Sequence, residues 1–323
     1  MNDIESHPEG YRLEAQDLVL GFGALVFAAF SIIWPDTGLA VLFGRRIPRG
    51  YAAAVAFLAI AAISLVVAPR IEGRSANPFL LFLRRFYPQA FCSSFFTESI
   101  LISSKAMGGL SHDDLFAAAD RAIFGFQPSI EFSKAFGSLP WFNELMFGSY
   151  FFYFVILTAT PWIAWLMGRK AEARRQVYVF TTVYLLVDLF YVFFRVQGPK
   201  YWFPELHAAW YDGFSGGVFV AFFQRLFATT TLSGAAFPST HVMLTFLTLG
   251  FARRLDKRLF AAYLPLAALI VLSTVYIYAH YAVDALGGAA FALFLPRVAE
   301  RVRPGLEGLC RRRSLAAEAP AVR

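Results

Sequence analysis

Charge is scarce in this 323-residue chain: Asp, Glu, Lys and Arg make up 16% of it, against roughly 25% in an ordinary soluble domain. With 58% hydrophobic residues and a mean hydropathy of +0.55, the composition excludes a water-soluble globular domain and points to a polytopic membrane protein. Cysteine is nearly missing as well. Cys92 stands in an apolar run and Cys310 in a basic C-terminal stretch, so no disulfide framework is implied. There is no basic start followed at once by an apolar core; Met1 to Asp17 is polar and acidic, and the first apolar segment is expected to stay in place as a helix. An internal repeat of the kind many transporters carry is also lacking. The net charge of +7 sits in short basic clusters between apolar runs and near the C-terminus, a pattern of membrane topology rather than of nucleic-acid binding.

What is present is a succession of apolar runs near the length of ~20 residues that crosses a ~30 Å hydrocarbon core. Residues 18–34, 51–68, 142–167, 177–194, 238–251, 261–278 and 281–295 read as spans. Residues 86–104, with Pro88 and Glu98 inside, read as a further span or as a re-entrant segment. The expected fold is all-α, a polytopic membrane helical bundle of about eight transmembrane helices with a six-helix core. Its parts are a cytoplasmic tail (1–17), two N-terminal helices and their connection (18–85), the core (86–298) and a basic C-terminal tail (299–323). The long connection 105–140 has apolar residues at helical spacing among charges, as in amphipathic helices lying at an interface. Basic loops at 168–175 and 253–258 agree with the basic tail on a cytoplasmic side. That orientation brings 198–201, 237–241 and 279–284 together on the extracytoplasmic face, as expected in a cell membrane such as the bacterial inner membrane. Arg45, Arg46 and Arg49 dissent, and a seven-span version with the N-terminus outside also satisfies them.

Those three stretches hold the residues with chemistry to offer. His280 and Asp284 stand four positions apart, so on a helix they share a face, where the carboxylate can accept the imidazole N–H and fix its tautomer. That is how a histidine is held as nucleophile or base. His241 follows Pro238 by one turn, and with Pro238 as the first helical residue the N–H groups of Ser239 and Thr240 would face the same pocket. His241, His280 and Asp284 are also residue types that ligate zinc.

Phe237-Pro-Ser-Thr-His241 resembles the Pro-Ser-x-His signature of the type 2 phosphatidic acid phosphatase superfamily. Ser273-Thr274, five residues, His280, three residues and Asp284 resemble its Ser-Arg-x5-His-x3-Asp signature. Gly198-Pro-Lys200-Tyr201, the Thr274 form of the last signature and Asp120…Phe124-Gly125…Pro128 are similar to the inositol-phosphorylceramide-synthase-like (inositolphosphotransferase, aureobasidin-resistance) branch. The resemblance spans roughly 86–295. It implies a phosphohistidine on His280, with Asp284 orienting it and His241 protonating the leaving oxygen and then activating water or a lipid alcohol. Lys200 would bind phosphate, helped by Ser239, Thr240, Tyr201 and Arg195. No metal or other cofactor is implied, and the substrate would be a lipid phosphate or phospholipid. The sequence departs from the superfamily where His207 and Ala208 replace an Arg-Pro pair, and at Thr274, which stands where an arginine is usual. With fewer phosphate-binding cations, Arg195 or Arg225 would have to substitute. The deficit fits transfer of a phosphodiester headgroup better than hydrolysis of a monoester, with a lipid phosphate or polyprenyl pyrophosphate phosphatase as the alternative.

Rival readings attach to the remaining polar residues. Glu98 and Asp188, acids within apolar runs, belong either to a transport pathway or to pairs with a nearby Arg or Lys. A catalytically silent lipid-binding protein would keep the helices without needing His241. Ser111-His-Asp-Asp114 reads as a helix start, Ser111 capping and the acids in the first turn. Tyr201, Trp202 and Phe203 suit an aromatic belt or a lipid pocket. Cys310 is either a palmitoylation site or part of a plain basic tail.

Overall fold

The structure, a computed structural model, describes residues 12–36, 38–42, 45–74, 77–206, 210, 213–229 and 233–318. The described chain is all-α apart from one antiparallel hairpin, β1 (Leu39–Leu42) on β2 (Arg45–Pro48). Among the described residues, six helical stretches are long and apolar enough to cross a membrane: Ala15–Ile33, Arg49–Ile71, Pro140–Leu166, Lys170–Phe193, Lys257–Tyr276 and Ala282–Arg313. The other two expected spans are helical too. Residues 86–104 lie within one continuous 29-residue helix, Pro78–Ala106, that does not turn back at Pro88, and 238–251 correspond to a 16-residue helix, Thr240–Leu255.

In chain order the helices are α1 (Ala15–Ile33), α2 (Arg49–Ala62), α3 (Ala68–Arg74), α4 (Pro78–Ala106), α5 (Asp113–Phe124), α6 (Pro128–Phe136), α7 (Pro140–Leu166), α8 (Lys170–Phe193), α9 (Pro199–Trp202), α10 (Val218–Thr229), α11 (Thr240–Leu255), α12 (Lys257–Tyr276) and α13 (Ala282–Glu318). A π-helical turn, Ile63–Val67, joins α2 to α3. Two expected boundaries move. The one between 85 and 86 falls inside α4, and the tail expected from residue 299 is helix as far as Glu318. The second shift has a clear cause: Ala299 and Cys310 are buried with Leu306 half-buried between them, an apolar stripe at helical spacing hidden among arginines.

The chain forms two compact units, one of Met1–Glu98, Val177–Leu185 and Arg297–Arg323, the other of Ser99–Gln176 and Leu186–Pro296. In the first, Phe27, Phe57 and Phe95 are buried with ring centroids 4.9–5.6 Å apart. Arg84 and Arg85, at the end of the stretch 18–85 read as two helices and their connection, are buried within α4 instead. Arg84 grips both carboxylate oxygens of Asp17 at 2.6 and 2.9 Å, Tyr87 donates to the same carboxylate at 2.7 Å, and Arg85 pairs with Glu14. Fixed geometry and extra hydrogen bonds are what a buried ion pair needs to offset its desolvation. Glu98, read either as part of a transport pathway or as paired with a nearby cation, accepts from the Ser31 hydroxyl at 2.6 Å. Cys310 is buried, and neither an exposed acylation site nor a solvated tail describes it.

The second unit is pinned by side chains that cap neighbouring helices. Glu144 on α7 accepts from the amides of Gly217, Phe219 and Val220 (2.6–3.1 Å), closing the start of α10. Asn143 donates to the carbonyls of Gly137 and Ser215 and accepts from the Tyr276 hydroxyl. Arg169, in the α7–α8 turn, donates to the carbonyls of Arg254 and Leu255 at 3.0 and 2.8 Å, so the two basic turns lie at the same end of this unit. His241, in the first turn of α11, lies at the other end of that 16-residue helix, about 24 Å away at 1.5 Å per residue.

Arg84→Met should strand Asp17 as an unpaired buried charge and cost about 3–5 kcal/mol, whereas Asp17→Leu with Arg84→Met should recover most of the loss. Thermal unfolding in detergent checks this: a lower Tm for the single variant, near wild type for the double.

Candidate active site

Three chain segments meet where the sequence put its chemistry. Val196 bridges to Gly234 and Ala235, and the Ala236 N–H donates to the Val196 carbonyl at 2.9 Å, bringing the chain after α8 beside the approach to α11. The Lys200 N–H donates to the Tyr278 carbonyl at 3.0 Å and the His280 N–H to Thr274 at 3.0 Å. Gly198 makes the fit possible. Its φ is +91°, and a Cβ there would stand 2.6 Å from the Ala279 carbonyl oxygen. Gly288 does the same between α13 and α11, where a Cβ would lie 2.5 Å from the Ser239 oxygen. Tyr278, two residues before His280, is buried with φ +62°, a left-handed conformation costly for a bulky side chain.

His280 is not on the helix with Asp284, because α13 begins at Ala282. Its Nδ1 lies 2.7 Å from the Ala236 carbonyl oxygen, which can only accept, so Nδ1 carries the proton and Nε2 keeps its lone pair. The Asp284 carboxylate is 3.7 Å from Nδ1, beyond hydrogen-bond range, and accepts instead from the Tyr281 amide at 2.8 Å. The acceptor that fixes the tautomer is thus a backbone carbonyl rather than the expected Asp284 carboxylate, which caps the neighbouring backbone. Burial pushes the His280 pKa down to about 4, against the Ala236 bond, which raises it. The imidazole is neutral at physiological pH.

The start of α13 is already filled with anions. Asp120, from α5, accepts from the amides of Ala282 and Val283 at 3.0 and 2.9 Å, and Asp284 takes that of Tyr281. Helix starts present free amides that suit a phosphate, and this one carries two carboxylates instead. Burial pushes the Asp120 pKa up, and its two amide bonds pull it down.

His241 lies in the first turn of α11, stacked on Tyr150 (4.2 Å) and beside Tyr153 (4.3 Å), with its ring centroid 5.7 Å from that of His280. Among the described residues neither of its buried ring nitrogens has a hydrogen-bond partner, and neither does Oδ1 of Asp284. Orphaned groups of this kind cost about 1–3 kcal/mol each, a cost that a bound polar ligand removes. Ser239 and Thr240 are placed differently from expectation. Pro238 precedes the helix rather than opening it; Ser239 is the cap, its hydroxyl accepting from Val242 and its N–H donating to the Asp284 carbonyl at 3.2 Å. Thr240 is buried with its hydroxyl against Tyr191. Their groups serve the fold at this helix start.

Lys200 is 4% exposed, its Nζ 4.0 Å from the Trp210 ring centre and 4.4 Å from that of Phe227, with half-buried Tyr201 at 5.3 Å. Burial pulls its pKa down to about 7, and the aromatic faces favour the charged form. Arg195 is buried against Ser233 and Gly234 (Nη2 to Ser233 Oγ 3.5 Å), its pKa lowered by burial and raised by Asp113. Arg225 is exposed on α10, while His207 and Ala208 fall outside the described residues.

Sequence reasoning missed Asp113, Asp120 as a ligand of backbone amides, the tyrosines on α7 and the Ala236 carbonyl. Asp113 is fully buried and accepts from the Gln197 and Gly198 amides (2.8 and 2.9 Å) and the Tyr281 hydroxyl (3.0 Å). His112 rather than Ser111 precedes α5, and Ser111 accepts from Gln197 instead. Asp188 is also buried, and neither of its oxygens has a hydrogen-bond partner among the described residues, so of its two readings the pairing with an Arg or Lys is not seen among them. Asp113, one of two adjacent acids at a helix start, carried no signal beyond that position.

A family model described as the PAP2 superfamily matches residues 115–296, more than half of the chain. No curated protein and no solved structure matches.

Lys200 should be uncharged above about pH 7 and charged below. Amine acylation followed by mass spectrometry should therefore show its modification rate rising through pH 7, where exposed lysines rise near pH 10.4. A Lys200 midpoint near 10 would contradict the burial argument.

Proposed function

The chain belongs to the PAP2 superfamily, and from that premise we propose a lipid phosphoesterase that works through a phosphohistidine on His280 and passes the phosphoryl-bearing group to a lipid alcohol or to water. The family supports a membrane lipid phosphatase-type activity. The observation that carries the finer reading is the pair of buried imidazoles 5.7 Å apart, one with a free Nε2 and the other with both nitrogens unsatisfied.

In this reading Nε2 of His280 attacks phosphorus and the bond to the leaving oxygen breaks. An anionic phosphate beside His241 favours its protonated form, and the imidazolium gives its proton to the leaving oxygen. The incoming hydroxyl then loses its proton to His241 as its oxygen displaces His280 from phosphorus. Lys200 offsets charge on the phosphate oxygens, since positioning and electrostatics dominate phosphoryl transfer. Asp284 steadies the His280 segment, while Arg195, Tyr201, Ser239 and Thr240 shape the surroundings.

Charge supports a phosphodiester donor. Against Lys200 and Arg195 stand three buried carboxylates, Asp113, Asp120 and Asp284. A monoanionic diester needs less neutralisation than a dianionic monoester, which favours transfer of the kind the inositolphosphotransferase branch performs. The basic turns at one end of α11 support a cytoplasmic placement for that end, and with it an extracytoplasmic site in a cell membrane such as the bacterial inner membrane.

Purified protein given lipid phosphates and phosphodiester lipids in EDTA, with and without ceramide or diacylglycerol, tests this. A new phospholipid formed only with the acceptor and abolished by His280→Ala is expected; free phosphate alone would replace transfer by hydrolysis, and unchanged turnover in the variant would overturn the reading. The pH profile of kcat/KM should rise as His280 loses its proton near pH 4 and fall as the two groups that must stay protonated, His241 and Lys200, lose theirs, Lys200 near pH 7. Lys200→Arg should leave only the single-proton fall that belongs to His241, and an alkaline limb unchanged in shape and midpoint would exclude Lys200 as a contributor.

A further inference from the structure

Two carboxylates outside the proposed chemistry hold the backbone on both sides of it. Asp113 and Asp120 lie seven positions apart on α5, two helical turns, and both are fully buried. The oxygens of Asp113 accept from Gln197 and Gly198, just ahead of Lys200, and from the hydroxyl of Tyr281, next to His280. Those of Asp120 accept from Ala282 and Val283, the next two residues. No cation meets either carboxylate in an ion pair among the described residues; backbone amides and one hydroxyl do the holding. A buried carboxylate that accepts from backbone amides holds the loop that carries them, and a shift of about 1 Å at a reacting centre can lower rates about 100-fold.

The geometry points to Asp113 and Asp120 as positioning residues that lock the Lys200 segment and the His280 segment into one frame, so that binding of phosphate and alignment of the nucleophile are set together. Asp113 is the joint, touching both segments, and Asp120 anchors only the His280 side. The inference rests on the proposed reaction for its kinetic consequence, but its structural content stands apart from it. An asparagine at either position keeps the volume and turns one acceptor into an NH2 group that faces a backbone donor, so part of the frame must let go.

The test combines kinetics with 15N NMR of histidine-labelled protein in detergent. In the wild type, His280 should show the Nδ1–H tautomer and titrate near pH 4. Asp113→Asn and Asp120→Asn should each mix the tautomers and move that midpoint up toward the ordinary value of about 6.5. Asp113→Asn should raise KM and lower kcat, and Asp120→Asn should lower kcat alone, each reducing kcat/KM by about 10–100-fold. Tyr281→Phe, which removes one hydroxyl, should shift His280 in the same direction by less, and it decides the matter if the asparagine variants do not fold. His280 signals that superimpose on wild type in these variants would overturn the inference, whatever happens to turnover. A wild type that turns over no lipid while the signals shift as described would sink the proposed reaction and leave the positioning role standing.

Discussion

A hydrogen bond from Nδ1 of His280 to the Ala236 carbonyl oxygen decides which nitrogen of this histidine is available. Everything around the site serves to bring that carbonyl and that ring together across the chain. The Val196 bridge places Ala236, Gly198 lets the loop lie against Ala279, and Gly288 lets α13 approach the start of α11. Because the acceptor is a neutral carbonyl, the imidazole gains orientation without an ion pair that would raise its pKa. Burial can then keep it neutral and nucleophilic.

Burial has a second effect here, on charge. In a water-poor site each formal charge must be held by many donors or acceptors. Asp113 and Asp120 achieve this through backbone amides, and Arg84 with Asp17, in the other compact unit, through a paired and hydrogen-bonded geometry. Lys200 has aromatic faces close around its ammonium that favour the charge, but burial outweighs them, so its proton is lost near pH 7. In the proposed reaction this balance of charge matches a substrate that brings a single negative charge.

The spacing of residues made much of this legible. Apolar runs located the helices, and the His241, His280 and Asp284 pattern located the place where three segments meet. Geometry within the site was less accessible. A four-residue interval implied that Asp284 shares a helix face with His280, but the helix starts only at Ala282, so the carboxylate caps the backbone and a carbonyl distant in sequence takes the imidazole proton. Arg84 and Arg85 looked like loop charges because partners such as Asp17 and Glu14 are some seventy positions away, a separation that no periodicity encodes. The helix continuing through Arg311, Arg312 and Arg313 was masked for the opposite reason: local charge outweighed the stripe of Ala299, Leu306 and Cys310 that buries it.

In the proposed reaction Nε2 of His280 becomes covalently bonded to phosphorus. Rapid quenching after mixing the protein with a lipid labelled at its phosphate, followed by peptide mapping, would trap that bond. An alkali-stable, acid-labile label confined to the peptide carrying His280, and missing in His280→Gln, is the predicted result. Turnover without a labelled enzyme, or a label on the His241 peptide, would contradict it.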